Sequence, residues 1–242
     1  MKIIVLNVSN YKEKDAIVTA INDKQLITFR VRGLKSQNSP LIWLNNTLTE
    51  AEAEFVDDKR SKYLTLKDAK LLASPLGTTK NTLEKMCAIN LATEVINRVV
   101  QDEDKKFLFP SLDGYIQYVE KEKDYLLAEL IFLAKVIKII GAELNVDGCV
   151  YCGSKSHIVA FSFEEGGFVC KDCASKETAM DLSPIQMQLI RFVFKTPDYS
   201  YLPNDKVNEE DKKFLLKKLQ QYIYDSIGIN LSTIDLILNS DE

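Results

Sequence analysis

Along the first seventy residues, apolar positions come in short runs or alternate with polar ones, the period-two pattern of strands. Ile3-Ile4-Val5-Leu6 opens the series and Ala16–Ile21 follows. Asn22-Asp23-Lys24 is a turn-rich break before Leu26–Gly33. At the end of that run the alternation is strict, with Phe29 and Val31 expected on one face and Arg30 and Arg32 on the other. Leu41-Ile42-Trp43-Leu44, Ala51–Val56 and Tyr63-Leu64-Thr65-Leu66 are further candidates, the last leading into Ala69-Lys70-Leu71-Leu72. Five or six short strands at this density predict a small closed barrel such as an OB-fold, with a two-sheet sandwich of the same size as the alternative.

Ser74-Pro75-Leu76-Gly77 ends this pattern, because Pro and Gly together stop the preceding element. Beyond it the apolar period becomes 3.6. Thr82–Val100 predicts an amphipathic helix with Leu83, Met86, Cys87, Asn90, Leu91 and Ile96 near one face. A second helix follows Pro110-Ser111, with Ser111 as its cap and Ile116 and Val119 inward. Tyr125–Ile140 is the most hydrophobic helix, buried on most sides and stopped by Gly141. Ser183-Pro184 starts another, continued through Ile185–Phe194. Asp205–Ile227 is the last long helix, with Phe214, Leu215, Leu219, Tyr222 and Ile223 spaced for a core, and Leu231–Leu238 is a short final element. The reading is therefore an α+β multidomain chain: an N-terminal OB-fold β-barrel over residues 1–76, followed by an α-helical domain over residues 77–242.

The composition is that of a globular chain, with 46% hydrophobic and 27% charged residues among 242. A net charge of −4 and a pI near 5.3 argue against a wholly basic nucleic-acid binder. The charge is uneven, however. Residues 1–40 carry seven Lys/Arg against three acids, and residues 81–242 carry 18 against 26. A small basic surface on an acidic body has this signature. The longest apolar segments, such as Leu126–Ile140, are broken by Glu129, Lys135 and Lys138, so no membrane span is expected. Met1–Leu6 is too short for a signal-peptide core, and the expected location is the cytoplasm.

In that compartment, paired cysteines read as metal ligands kept reduced. Cys149-Val150-Tyr151-Cys152 and Cys170-Lys171-Asp172-Cys173 lie seventeen residues apart, a spacing that fits a zinc site. Four thiolates close a tetrahedron around Zn²⁺ and leave no position for substrate, so one structural Zn²⁺ is expected and a catalytic one is not. Between the pairs, Ile158–Phe163 and Phe168–Cys170 flank Glu164-Glu165-Gly166-Gly167, a hairpin that folds one pair onto the other. The competing readings are a redox pair or plain burial. His157 reads as a loop residue and Cys87 as a small core residue.

A second constellation combines Tyr11, Lys12 and Lys14 with Arg30, Arg32 and Lys35. On OB surfaces aromatic rings hold bases while cations follow phosphates, so these five cations are candidate DNA-binding residues, diluted by Glu13 and Asp15. A solvated polar face is the alternative. Enzyme signals are poor. The chain has one histidine and neither a G-x-S-x-G nor an H-E-x-x-H motif. Gly77-Thr78-Thr79-Lys80 and Gly33-Leu34-Lys35-Ser36 lack phosphate-loop spacing. Asp57-Asp58 and Glu164-Glu165 read as solvated turns, and no enzymatic activity is expected.

The order of these parts resembles the bacterial recombination mediator RecO family. The residues that carry the resemblance are Glu13-x-Asp15-x-Ile17-Val18-Thr19 and Arg32-Gly33, then the run Gly141–Gly153 into the first cysteine pair, Phe161–Cys170 into the second, and Leu182-Ser183-Pro184. It covers essentially the whole length and is most specific in the cysteine region. The resemblance implies an N-terminal OB-fold, a helical body and a zinc-knuckle insert, here at about residues 145–176. It also implies a cytoplasmic, nucleoid-associated DNA-repair protein that is not an enzyme. Such a protein binds single- and double-stranded DNA and anneals complementary strands. With RecR it helps to load RecA onto DNA covered by single-strand-binding protein, whose acidic tail would meet Lys135 and Lys138 or Arg191. The chain departs from the family after Gly33, where relatives carry three or more basic residues and this loop has only Lys35. That departure shifts weight to Lys12, Lys14 and Lys59-Arg60-x-Lys62. The alternative function is a zinc-containing protein-interaction scaffold that does not touch DNA.

Overall fold

The computed structural model describes residues 1–56, 62–76, 82–121, 124–174, 180–199 and 207–239. Five strands, β1 (Lys2–Tyr11), β2 (Asp15–Ile21), β3 (Leu26–Val31), β4 (Glu50–Val56) and β5 (Leu64–Ala73), close into a barrel in the order β1-β2-β3-β5-β4. β1 pairs antiparallel with both β2 and β4, so the sheet meets itself and the sandwich alternative falls. β3 and β5 run parallel over Phe29↔Leu64 and Arg30↔Thr65. This five-stranded closure is the OB-type barrel. Alternation does the sorting: Ile27, Phe29 and Val31 are buried, and with Ile3, Val5, Val18, Ala20, Leu34, Leu44 and Leu66 they fill the interior. Asn22 makes the β2–β3 turn by accepting from the amides of Lys24 and Gln25, both at 2.8 Å.

Leu41-Ile42-Trp43-Leu44 is not a strand. Ile42–Asn45 is a single 3₁₀ turn whose Leu44 enters the barrel core. Its amides are satisfied locally, by Ile42 N–H to Ser39, Leu44 N–H to Leu41 and Asn46 N–H to Trp43, so the segment needs no partner strand.

Helix α1 (Leu83–Arg98) is capped by Thr82, whose side chain accepts from the Lys85 amide at 3.3 Å. Its buried face differs from the predicted one. Cys87, Leu91 and Ile96 are inside, but Leu83, Met86 and Asn90 are exposed, and Ala88, Ile89, Ala92 and Val95 take their place. Ala88 and Ala92 mark the centre of the buried stripe, and small residues there let neighbouring elements come close. Helix α2 (Phe109–Lys121) begins before Ser111, which therefore lies in the first turn and does not cap it; Ile116 and Val119 are buried as expected. Lys2 anchors α2 to the barrel, its Nζ lying 2.5 Å from Glu50 and 2.9 Å from Asp113.

By its contacts the chain divides into Met1–Lys123 and Asp124–Glu242. The switch from strands to helices near Pro75 and the division into compact units thus fall at different places, and α1 and α2 belong to the barrel's unit. In the second unit, α3 (Tyr125–Ile139) is buried on most sides and packs against α4 (Pro184–Lys195) and α5 (Glu209–Ile227). Ser183 and Gln186 form a reciprocal capping box at the start of α4. Asn208 caps α5, so its described start lies after the expected Asp205, which itself falls outside the described residues. A short α6 (Ser232–Leu238) follows. Between α3 and α4 sits a four-stranded sheet in the order β6-β8-β7-β9, formed by β6 (Asn145–Cys149), β7 (Ile158–Ser162), β8 (Gly167–Cys170) and β9 (Met180–Asp181). Among the described residues, no helix is long and apolar enough to cross a membrane.

Candidate nucleic-acid interface and metal centre

The cysteine region folds as the spacing predicts. β7 and β8 pair antiparallel from Ile158↔Cys170 to Ser162↔Gly167, with the turn at Glu164–Gly166. Two adjacent glycines here, the last of the turn and the first of β8, do different things. Gly166 has φ +73°, which a side chain would strain. Gly167 is instead a close-approach position: a Cβ there would lie 2.4 Å from the Asn145 carbonyl oxygen. β6 can therefore run directly beside β8 and bring Cys149 to Cys170. The turn at Gly153, whose amide donates to the Cys149 carbonyl at 2.8 Å, carries Cys152 back over the pair. A 3₁₀ turn over Lys171–Cys173 supplies the fourth thiol.

All four Sγ atoms of Cys149, Cys152, Cys170 and Cys173 lie within 4.8 Å of one another, with Cys152 and Cys170 at 3.6 Å. Zinc–sulfur bonds of ~2.3 Å set the edges of a tetrahedron at about 3.8 Å, so the cluster matches a single four-coordinate ion. Burial raises the Cys149 thiol, but the amides of Cys170, Cys152 and Tyr151 and the Cys152 thiol outweigh it and lower its pKa to about 6. Desolvation and the three neighbouring thiols push Cys173 up to about 12. The Cys149 thiol starts the set, and a divalent cation at the centre would release the remaining protons. Cys149 and Cys170 are buried whereas Cys152 is exposed, so the site has an inner and an outer side. His157 is exposed, has φ 52° and uses its carbonyl to hold the Lys171 amide at 2.8 Å, the loop role expected of it. Cys87 is buried in α1.

On the barrel, the five predicted cations gather where the β1–β2 turn meets the loop after β3. The Lys35 amide donates to the Lys14 carbonyl at 3.0 Å, joining the two segments. Lys12, Lys14, Arg32 and Lys35 are exposed. Arg30 is only partly exposed, and its guanidinium meets the Asp15 carboxylate at 2.9 Å through Nε and 2.5 Å through its terminal nitrogen. The other Asp15 oxygen accepts from the Gly33 amide at 2.9 Å. Asp15 thus neutralises Arg30, the dilution expected of it, and also ties Arg30 to the turn at Gly33. The Gly33 amide, together with the Arg30 side chain and the Lys12 charge, holds the Asp15 carboxyl below the usual carboxylate range.

Two aromatic rings complete this face. Tyr11 and Tyr63 pack edge to face with centroids 6.3 Å apart. Lys12 and Arg30 each lie 5.5 Å from the Tyr11 centroid, and Lys62 lies 5.8 Å from that of Tyr63. Tyr63 was not among the residues read from sequence as a candidate. It is 52 positions from Tyr11, and only the parallel β3–β5 pairing brings it alongside. Lys59 and Arg60 of the predicted basic cluster lie outside the described residues. In the second unit, Lys135 donates to the Thr196 carbonyl and Lys138 pairs with Glu143 at 2.9 Å, so both already have partners; Arg191 is exposed on α4.

Comparison with known proteins fits this geometry. A family model described as "Recombination protein O C terminal" matches residues 80–233. Curated proteins called DNA repair protein RecO align over 95% of this chain. The one from Halalkalibacterium halodurans is 26% identical over 232 residues and 90% of its own length. That of Bacillus mycoides is 27% identical over 236 residues and 92% of its length, and that of Bacillus subtilis 25% over 232 residues and 90%. A family match across more than half the chain, on a molecule with an OB-type barrel and a four-cysteine cluster, places this chain in the RecO family of DNA repair proteins.

Proposed function

We propose that the protein is a non-enzymatic recombination mediator that binds DNA through the outer face of its barrel. The observation that carries this reading is the cation cluster around the β1–β2 turn, joined by the Lys35–Lys14 backbone bond, with aromatic rings beside it. OB-folds bind oligonucleotides on the face of strands 2 and 3 and on the flanking loops, and the cluster lies there. Annealing requires neutralised phosphates on two strands and no nucleotide hydrolysis, which suits a site made of cations and rings. From the family resemblance, the partners are RecR, single-strand-binding protein and, indirectly, RecA. The four cysteines are assigned to one structural Zn²⁺ that braces the strands of the second unit; tetrahedral thiolate coordination leaves no place for substrate.

Salt dependence tests the DNA assignment. If the five exposed cations Lys12, Lys14, Arg32, Lys35 and Lys62 each meet a phosphate, log K for a single strand falls with log salt at a slope of about −3.5. Changing Lys14 and Lys35 together to Ala is expected to reduce that slope by about 1.4. An unchanged slope would remove this face from DNA binding and favour a protein-interaction scaffold. Strand annealing with and without a RecR-like partner then tests the mediator role.

A further inference from the structure

The cations of the barrel face account for attraction to phosphate, which single and double strands share. They do not account for the two tyrosines. Tyr11 ends β1 and Tyr63 immediately precedes β5, and both residues are partly exposed. Each ring has an ammonium beside it, Lys12 with Tyr11 and Lys62 with Tyr63, and both lysines are exposed. Arg30, ion-paired to Asp15, lies 5.5 Å from the Tyr11 ring centroid. A lysine on an exposed ring contributes little, about 0.5–1 kcal/mol, so it is easily displaced. A base stacks its π-face on the ring and carries its own phosphate, which gives the displaced ammonium a better partner.

Resting on the DNA-binding reading above, we propose that Tyr11 and Tyr63 form a base-stacking platform that makes this face selective for unpaired strands. Bases stacked within a duplex cannot reach the rings, whereas those of a single strand can. Lys12 and Lys62 move from ring to phosphate as the bases arrive. Selectivity for single strands therefore resides in the rings, and affinity for nucleic acid in general resides in the lysines. Asp15 is the positioning residue, because it sets Arg30 beneath Tyr11 and shapes the turn at Gly33 through separate carboxylate oxygens.

The test compares three fluorescein-labelled probes of equal length, binding the full chain: oligo(dT), an abasic strand with the same phosphates, and a duplex. Tyr11→Leu and Tyr63→Leu keep apolar bulk and remove the π-face; Tyr11→Phe keeps the face and removes only the hydroxyl. Each Leu variant is expected to weaken oligo(dT) by about 5- to 150-fold. Abasic and duplex affinities stay within about twofold of wild type, and Tyr11→Phe binds oligo(dT) as wild type does. If wild type binds and the Leu variants are unchanged, or weaken all three probes equally, the platform is overturned while the DNA-binding face stands. A Leu variant that has lost the far-UV and thermal signature of the folded chain is replaced by Tyr63→His, which keeps a planar π ring and, like Tyr11→Phe, must retain oligo(dT) binding. Wild type that binds none of the probes overturns the DNA-binding reading and the platform with it.

Discussion

Gly167→Ala is the sharpest perturbation of the cysteine cluster, because it touches no ligand. The added Cβ would lie 2.4 Å from the Asn145 carbonyl oxygen and 2.6 Å from Val150 Cγ1. Neither neighbour can retreat cheaply. The Asn145 amide donates to the Gly166 carbonyl at 2.7 Å and the Val150 amide to the Phe168 carbonyl at 2.8 Å, and these bonds hold β6 against β8. Overpacking of this kind costs about 1–3 kcal/mol. The cost is borne by the conformation that sets Cys149 beside Cys170, so it appears in metal affinity as about a 5- to 150-fold loss. Zinc transfer to a chromogenic chelator at neutral pH measures it. Gly141→Ala is the control: at φ +79° and with nothing within 4 Å it strains the end of α3 and leaves the cluster alone. A Gly167→Ala protein that holds zinc within twofold of wild type would refute the idea that β6–β8 proximity builds the site.

Two further predictions concern carboxyl groups with shifted titration. Glu129 is 2% exposed and its Oε2 has no hydrogen-bond partner; burial, and to a lesser degree Asp124, raise its carboxyl well above the ordinary value. The folded chain therefore binds that proton more tightly than the unfolded one. Its stability contribution is full below a pH of about 4.3 and is lost as pH rises toward the folded value. Glu129→Met is expected to stabilise the second unit by about 1–3 kcal/mol at pH 8 and by less at pH 5; urea midpoints that rise equally at both would contradict this. Asp15→Ala removes acceptors for Gly33 and Arg30 and is expected to cost about 1.5–3 kcal/mol. Because the Asp15 carboxyl is depressed, that contribution is present above a pH of about 3.9 and lost as pH falls through its lower folded value. Urea curves of wild type and variant should converge in acid, and a gap that persists below both values would argue for packing alone.

What the sequence made legible depended on how local the determinant is. The cysteine cluster was readable because each Cys-x-x-Cys pair is one turn and the hairpin between them is one pairing. The barrel's strands were readable from alternation, except at Leu41–Leu44, where an apolar run satisfied its own amides in a 3₁₀ turn. The buried face of α1 was misread because large residues were weighted over Ala88 and Ala92, which neighbouring elements approach. On the basic face the lysines were visible, but Asp15 read only as a dilution; its tying role rests on bonds to Arg30 and Gly33, 15 and 18 positions away. Tyr63 needed the strand order itself, since no local pattern says that β5 lies parallel to β3.

That same strand order has a consequence for exchange and timing. Among the described residues, β1–β2 and β4–β5 are each held over seven residue pairs, whereas β1 meets β4 over three and β3 meets β5 over two, Phe29↔Leu64 and Arg30↔Thr65. The barrel is therefore a clasp with two short seams, and amide protons at the shorter one, β3–β5, escape through smaller openings than those of the β1–β2 ribbon. Tyr63 is the last residue before that seam and Arg30 is part of it. Anything that grips Tyr11 and Tyr63 together must also hold the clasp shut. Ligand capture and barrel closure are then linked in both directions, and the slowing of exchange at Leu64 and Thr65 would report occupancy of a face whose other half lies more than fifty residues earlier in the chain.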